Sequence, residues 1–160
     1  MQRRSIFLST LPFIAGLVLV AGASTSPGTA SAAKGECGYV TASEGIPPES
    51  EGIYPAFITQ IDGKSTGVGR RERVSAGTHT LTISEQIPPQ DLSKTEIVEI
   101  KQMKRREDAR AYKKLEVNVE PGTTLRIGVR LLRDRLDIDS IKANEYWEPV
   151  VWETVPTSCR

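Results

Sequence analysis

The sequence predicts an all-β protein, a small antiparallel β-sandwich of about seven strands that carries a charged, flexible insertion. In "THTLTIS", His79, Leu81 and Ile83 alternate strictly with polar residues, which is the pattern of a half-buried strand. In "KLEVNVEPGTTLRIGVRLL", two alternating runs flank Pro121 and Gly122, and this pair predicts a type II turn closing a hairpin. No internal repeat is visible, so short strands forming one small sandwich are expected.

Residues 1–32 predict a secretory signal. Arg3 and Arg4 precede an apolar run of roughly 15 residues, which is too short to cross a bilayer comfortably. Small residues at 21–23 and 30–32 offer two cleavage sites, of which the second is favoured; a retained membrane anchor is the alternative. The expected location is therefore periplasmic or secreted, with no stable transmembrane segment after processing.

The mature chain is expected to be nearly neutral. Removal of residues 1–32 takes away two arginines and no acidic residue, which leaves 19 basic against 20 acidic side chains. This balance argues against a nucleic-acid binder, whose affinity depends on clustered positive charge. The remaining length fits a lead-in at 33–51 and a single sandwich domain at 52–160.

The two cysteines, Cys37 and Cys159, lie near opposite ends of the mature chain. In an exported protein, this even and minimal count predicts one disulfide bond. Two buried free thiols are the alternative, and the spacing fits no metal site.

Several further strands are predicted along the chain. They are a short strand around Tyr39, one in "YPAFITQID" that ends at the turn of Asp62 and Gly63, one in "KTEIVEI" after a Pro-Pro break, and a last one in "YWEPVVWE". Pro149 marks the last strand as an edge strand or a bulge, because proline cannot donate to a ladder.

The segment 101–114, "KQMKRREDARAYKK", does not read as a strand. It is polar, charged and rich in helix formers, so a helical turn, an exposed hairpin tip and a mobile connection are all compatible with it. A mobile connection is the preferred interpretation, because the segment has no periodic apolar face to bury.

Together, the "IDGK" turn, "VSAGTHTLTI", "LEVNVEPGTTLRIGV" and a terminal "YWEPVVW" resemble small exported bacterial proteins related to PEGA-like domains. The resemblance spans about residues 53–154 and rests on turn-and-strand motifs. It implies an immunoglobulin-like β-sandwich module of the cell envelope. It does not account for the charged insertion.

Three candidate sites for chemistry are weak. The "GKST" stretch at 63–66 lacks the first glycine of a phosphate-binding loop, so it predicts a turn. His79 is the only histidine, and a strand-start residue bonded to a nearby backbone carbonyl is expected rather than a catalytic base. Asp134, Asp137 and Asp139 lack the glycine and the distal glutamate of a calcium loop, so a solvated loop is expected there. The sequence therefore predicts no catalytic residue, no metal and no cofactor.

Two surface features remain as candidate binding sites. The first is a patch of basic residues for an anionic ligand, composed of Arg70, Arg71, Arg73, Lys101, Lys104, Arg105, Arg106, Arg110, Lys113 and Lys114. The second is a pair of aromatic residues for stacking on sugar rings, Tyr146 and Trp152, which would face away from a buried Trp147. Solvated charges and edge packing are the alternatives.

The resulting prediction is an exported, non-enzymatic β-sandwich that binds or structures a cell-envelope component, either a polymer or a protein partner. A carbohydrate-binding module and an accessory or inhibitor subunit are the alternatives, followed by a small hydrolase. The sequence indicates neither the ligand nor the oligomeric state.

Overall fold

The computed structural model describes residues 37–67, 69, 71–106 and 111–159, and within them the chain is mostly β, as predicted. The strands are β1 (Cys37–Thr41), β2 (Ile53–Tyr54), β3 (Ala56–Ile61), β4 (Lys64–Ser65), β5 (Glu72–Ser75), β6 (Gly77–Glu85), β7 (Tyr112–Val119), β8 (Thr123–Leu131) and β9 (Trp147–Pro156). The helices are α1 (Lys94–Arg106) and α2 (Ile138–Lys142), with short 3-10 turns between elements.

Some predictions fall outside the described residues. They concern the secretory signal at 1–32, Arg70, Arg110 and the side chain of Arg106. Within the described ranges, no helix is long and apolar enough to cross a membrane.

The strands form two sheets. One sheet contains β5, β1, β2, β8 and β9, and the other has the order β4-β3-β6-β7. All pairs are antiparallel except β1 with β8, which is parallel. The purely antiparallel arrangement expected from the sequence is therefore wrong at this pair. Between β1 and β8 the chain moves between the two sheets several times, and β8 finally enters the first sheet in the direction of β1.

The predicted hairpin at residues 114–132 is also wrong in its pairing. The turn itself is present, with Gly122 at φ 71° and the Thr123 N–H donating to the Glu120 carbonyl at 3.3 Å. However, β7 pairs with β6, whereas β8 pairs with strands of the other sheet. The Gly122 N–H donates to the Cys37 carbonyl, and the Thr157 N–H donates to the Gly122 carbonyl. These bonds hold the turn against the first sheet, so it connects the two sheets.

The predicted strand in "YPAFITQID" is divided at Pro55. Ile53 and Tyr54 form β2 in the first sheet, and β3 begins at Ala56 in the second. Because proline has no N–H for a ladder, it suits the point at which the chain changes sheets.

The largest secondary-structure error is "KTEIVEI", which was predicted as a strand and forms most of helix α1. Its start is a capping box. The Glu96 N–H donates to Ser93 Oγ at 3.3 Å, and the Ser93 N–H donates to Glu96 Oε2 at 2.6 Å. Ile100 and Met103 are buried and Ile97 is half-buried, so one stripe of α1 packs on the core.

The segment predicted as a mobile insertion is mostly regular structure. Residues 101–106 continue α1, and β7 begins at Tyr112. Residues 107–110 lie outside the described ranges.

One core contains side chains from both sheets and from α1. The alternation predicted in β6 and β8 is confirmed, since Leu81, Ile83, Ile127 and Val129 are almost completely buried. Trp147 at the start of β9 is the largest fully buried side chain. It donates from Nε1 to Asn144 Oδ1 at 2.6 Å, so its polar atom is satisfied within the core.

The predicted disulfide bond is confirmed. Cys37 and Cys159 are joined across a separation of 122 residues, with their Cα atoms 6.0 Å apart. Cys37 opens β1 and Cys159 follows β9, so the bond links both ends of the described chain within one sheet.

Candidate functional site

The outward side of α1 carries the clearest group of unpaired positive charges. Lys94, Lys101 and Arg105 are exposed, and within the described part of the chain none of them forms an ion pair. The spacing of seven and four residues places all three along one side of a helix. Val98, which is 51% exposed, lies among them. We call these four residues the α1 basic face.

Two members of the α1 basic face, Lys94 and Val98, were missed by the sequence analysis. They were missed because "KTEIVEI" was interpreted as a strand, in which these residues would not share a side with Lys101. The signal that would have identified them is the Ser93-x-x-Glu96 capping box.

Lys104 belonged to the predicted basic patch, but its ammonium group is paired inside the protein. Its Nζ lies 2.5 Å from Glu85 Oε1, and the Glu85 side chain is only 6% exposed. The same oxygen accepts from Tyr146 Oη at 2.7 Å, and Oε2 accepts from the Ile87 N–H at 3.3 Å. Burial, together with the charge and hydrogen bond of Glu85, raises the pKa of Tyr146, which keeps the phenol protonated.

Lys113, another member of the predicted patch, also has its ammonium group held by a partner within the protein. Its Nζ donates to the Trp147 carbonyl and lies 4.9 Å from the centroid of the Trp147 ring. Burial lowers the pKa of Lys113, while the nearby carboxylates of Glu145 and Glu148 act in the opposite direction. Lys114, the next residue of β7, is exposed.

Arg71 and Arg73 lie apart from α1 in the fold. Arg73 is exposed on β5, which belongs to the other sheet from β7. The Arg71 guanidinium lies 4.1 Å from the centroid of the Tyr39 ring and 3.7 Å from a Glu44 carboxylate oxygen. The described members of the predicted basic patch therefore divide between α1, β7 and the region of β5.

The predicted pair of sugar-stacking aromatics is wrong for Tyr146, which is completely buried. Trp152 is partly exposed, and the Arg126 guanidinium lies 5.7 Å from its ring centroid. The register of β9 shifts here, because Arg126 pairs with Glu153 whereas the next residue of β8 pairs with Val151. Tyr146 lies before the first residue of β9, so alternation along that strand from Trp147 does not apply to it.

His79 has the predicted backbone partner and a second partner that was missed. Its Nε2 lies 2.9 Å from the Ser75 carbonyl oxygen, and its Nδ1 lies 2.7 Å from Asp62 Oδ2. Asp62 is placed there by the predicted two-residue Asp-Gly turn, with φ of 50° at Asp62 and 76° at Gly63. Its other oxygen accepts from the Thr80 N–H at 2.9 Å.

The chemistry of this cluster follows from its acceptors. A carboxylate and a carbonyl can only accept, so the protonated imidazole, in which both ring nitrogens donate, satisfies both acceptors. Ser75 Oγ lies 3.4 Å from Nε2, which gives the residue types of a catalytic triad. In this arrangement Nε2 donates to the Ser75 carbonyl and has no lone pair free to take a proton from that serine. His79 and its acceptors therefore form a charged clamp when the ring is protonated.

The clamp predicts a pH-dependent stability. Burial acts to lower the pKa of His79, but the hydrogen bonds to Asp62 and to the Ser75 carbonyl outweigh it and raise the pKa above 6.5. The hydrogen bond from His79, followed by that from the Thr80 N–H, lowers the pKa of Asp62 below 3.8. The His79 contribution is complete below pH 6.5 and is lost as pH rises through the raised pKa. The Asp62 contribution is complete above pH 3.8 and is lost as pH falls through the lowered pKa.

Urea unfolding between pH 5.5 and 9 tests this prediction. Relative to the variant Asp62→Asn, the parent should lose stability as pH rises through the folded pKa of His79. The variant His79→Gln should not show this loss. Parallel pH profiles for the parent and both variants would exclude the charged clamp.

The remaining candidates behave as structural elements. Gly63 lies in the two-residue turn and Lys64 begins β4, so the "GKST" stretch is a turn and an edge strand. Asp137 caps α2: its carboxylate accepts from Ser140 Oγ at 2.6 Å and from the N–H groups of Ser140 and Asp139, and these bonds lower its pKa. No group of three or more metal-ligating side chains is found among the described residues.

No family model, curated protein or solved structure matches this chain. We therefore infer the role of the α1 basic face from the placement, exposure and charge of its own side chains.

Proposed function

We propose that this chain is an exported, non-enzymatic β-sandwich module, related to PEGA-like domains, that binds anionic material of the cell envelope through the α1 basic face. The observation that carries the proposal is the set of three exposed cations, Lys94, Lys101 and Arg105, with no partner among the described residues. Lys104 and Lys113 of the predicted patch are held by partners within the protein, whereas these three are available to a ligand.

The rest of the structure supports a binding module. Buried Ile100 and Met103 fix α1 on the core, so its outward charges are presented by a rigid element. Two sheets share one core, in agreement with a sandwich. The disulfide bond favours an oxidising compartment outside the cytoplasm. The position of His79 Nε2 on the Ser75 carbonyl disfavours the hydrolase alternative, because a nitrogen that donates there offers no lone pair to the serine hydroxyl next to it.

Co-sedimentation with peptidoglycan, anionic polysaccharide and anionic vesicles tests the proposal. Lys and Arg near an anionic surface contribute about 1 kcal/mol each at low salt. The double variant Lys101→Gln/Arg105→Gln should therefore bind roughly tenfold or more weakly. Its thermal stability should hardly change, because exposed charges contribute little to folding. Raising the ionic strength should weaken binding of the parent in the same direction.

The matched control is Arg71→Gln/Arg73→Gln, which removes the same charge from the region of β5. It should bind about as well as the parent. The proposal is wrong if this control loses binding while the α1 variant keeps it. It is also wrong if the parent binds none of the three materials at low salt.

A further inference from the structure

A small cavity lies between α1 and the chain that leads into it from β6. Its volume is about 140 Å³. The lining residues are Glu85, Ile87, Pro89, Leu92, Ile97, Ile100, Lys101 and Lys104. The four α1 members are spaced as one stripe of the helix, so the cavity follows the side of α1 next to the basic face.

The cavity has the size of one side chain. Liquid water occupies about 30 Å³ per molecule, so 140 Å³ admits about four or five groups of that size. A leucine side chain or part of a phenylalanine ring fits this space, whereas sites for whole small-molecule ligands are usually about 300 Å³ or larger. Ile97 and Leu92 are half-buried, so the apolar wall is accessible from outside.

The charged groups at the cavity favour a ligand with acidic residues next to the group that enters it. The carboxylate of Glu85 is already engaged by Lys104, by Tyr146 Oη and by the Ile87 N–H. Lys101 also lines the cavity, and it has no ion pair within the described residues. The cavity therefore presents an apolar wall beside an unneutralised cation.

We infer that this cavity docks a peptide segment of a partner protein in which one leucine or phenylalanine is flanked by acidic residues. The apolar side chain enters the cavity, and the acidic flanks pair with Lys101 and with Arg105 on the next turn of α1. This inference rests on the proposed role of the α1 basic face and names the class of its partner. A single anchor in a small pocket, surrounded by charged contacts, is a common form of peptide recognition.

The test uses two blocked heptapeptides, each with glutamates around a central residue that is leucine in one and alanine in the other. Fluorescence anisotropy of the labelled peptides with the full mature protein, oxidised, gives both affinities. The leucine peptide should bind about tenfold or more tightly, because only leucine fills the cavity. Raising the salt concentration should lower the affinities of both peptides by a similar factor.

Two variants locate the binding. Ile97→Phe fills the cavity and should remove the difference between the peptides, whereas Val151→Phe adds the same ring at an exposed position on β9 and should preserve it. Both variants are checked by thermal unfolding; if Ile97→Phe does not fold, the comparison of the two peptides on the parent protein still decides.

Equal affinity for both peptides, together with salt-dependent binding to anionic vesicles, would overturn the cavity as a docking site and leave the α1 basic face as a membrane or polymer surface. Failure of both peptides and of all envelope materials to bind would overturn the inference and the proposed function together.

Discussion

Replacing Cys37 and Cys159 by serine should lower the free energy of unfolding by about 4–5 kcal/mol, the largest effect expected in this chain. The bond closes a loop with a sequence separation of 122 residues, and a long closed loop removes much entropy from the unfolded chain. It also holds the end of the chain beside β1, where Gly122 donates its N–H to the Cys37 carbonyl and accepts from the Thr157 N–H. Urea unfolding at neutral pH measures the loss.

The control is the parent protein under reducing conditions, which should unfold at nearly the same urea concentration as the double variant. A loss below about 1 kcal/mol in both samples would mean that the bond contributes little beyond the sheet contacts, contrary to this expectation.

The second large effect is expected for Trp147→Ala, which should cost about 3–5 kcal/mol. The ring is completely buried, its Nε1 donates to Asn144, and its face supports the Lys113 ammonium. Truncation would leave a cavity in the core and a partly buried cation without its aromatic neighbour. Chemical denaturation measures the change. It is monitored by far-UV circular dichroism rather than by tryptophan fluorescence, because the variant lacks one of the two tryptophans.

Trp152→Ala is the matched control, since it removes the same side chain from a partly exposed position on the same strand. Its cost should be clearly smaller. Equal costs for the two variants would contradict the assignment of Trp147 to the core and Trp152 to the edge.

The strands with simple alternation could be predicted from the sequence, because a period of two identifies a half-buried strand without knowledge of its partners. This holds for β6, where Leu81 and Ile83 are buried, and for β8, where Ile127 and Val129 are buried. Partner choice could not be predicted in the same way. The turn at Gly122 reverses the chain, but its bonds to Cys37 and Thr157, which are distant in sequence, place β7 and β8 in different sheets.

Helix α1 could have been predicted from local signals that were given too little weight. Alternation in "KTEIVEI" covers few residues, whereas the capping box at Ser93 and Glu96 fixes a helix start and the apolar stripe continues to Met103.

The candidate site was predictable only in part. Composition identified the cluster of positive charge, but only the fold shows that Lys104 and Lys113 are paired inside while Lys94 faces outward.

The α1 basic face is tested most directly by lysine acetylation footprinting with mass spectrometry. The mature protein is treated with a limiting acetylating reagent, with and without the anionic envelope material that it binds, at low and at high salt. Lys94 and Lys101 should be acetylated several-fold more slowly in the bound state at low salt, because exposed charges interact strongly only when they are poorly screened. Lys64, which is exposed on β4, should react at the same rate throughout. Protection of Lys64 in place of Lys94 and Lys101, or equal rates at every lysine with and without ligand, would contradict the account.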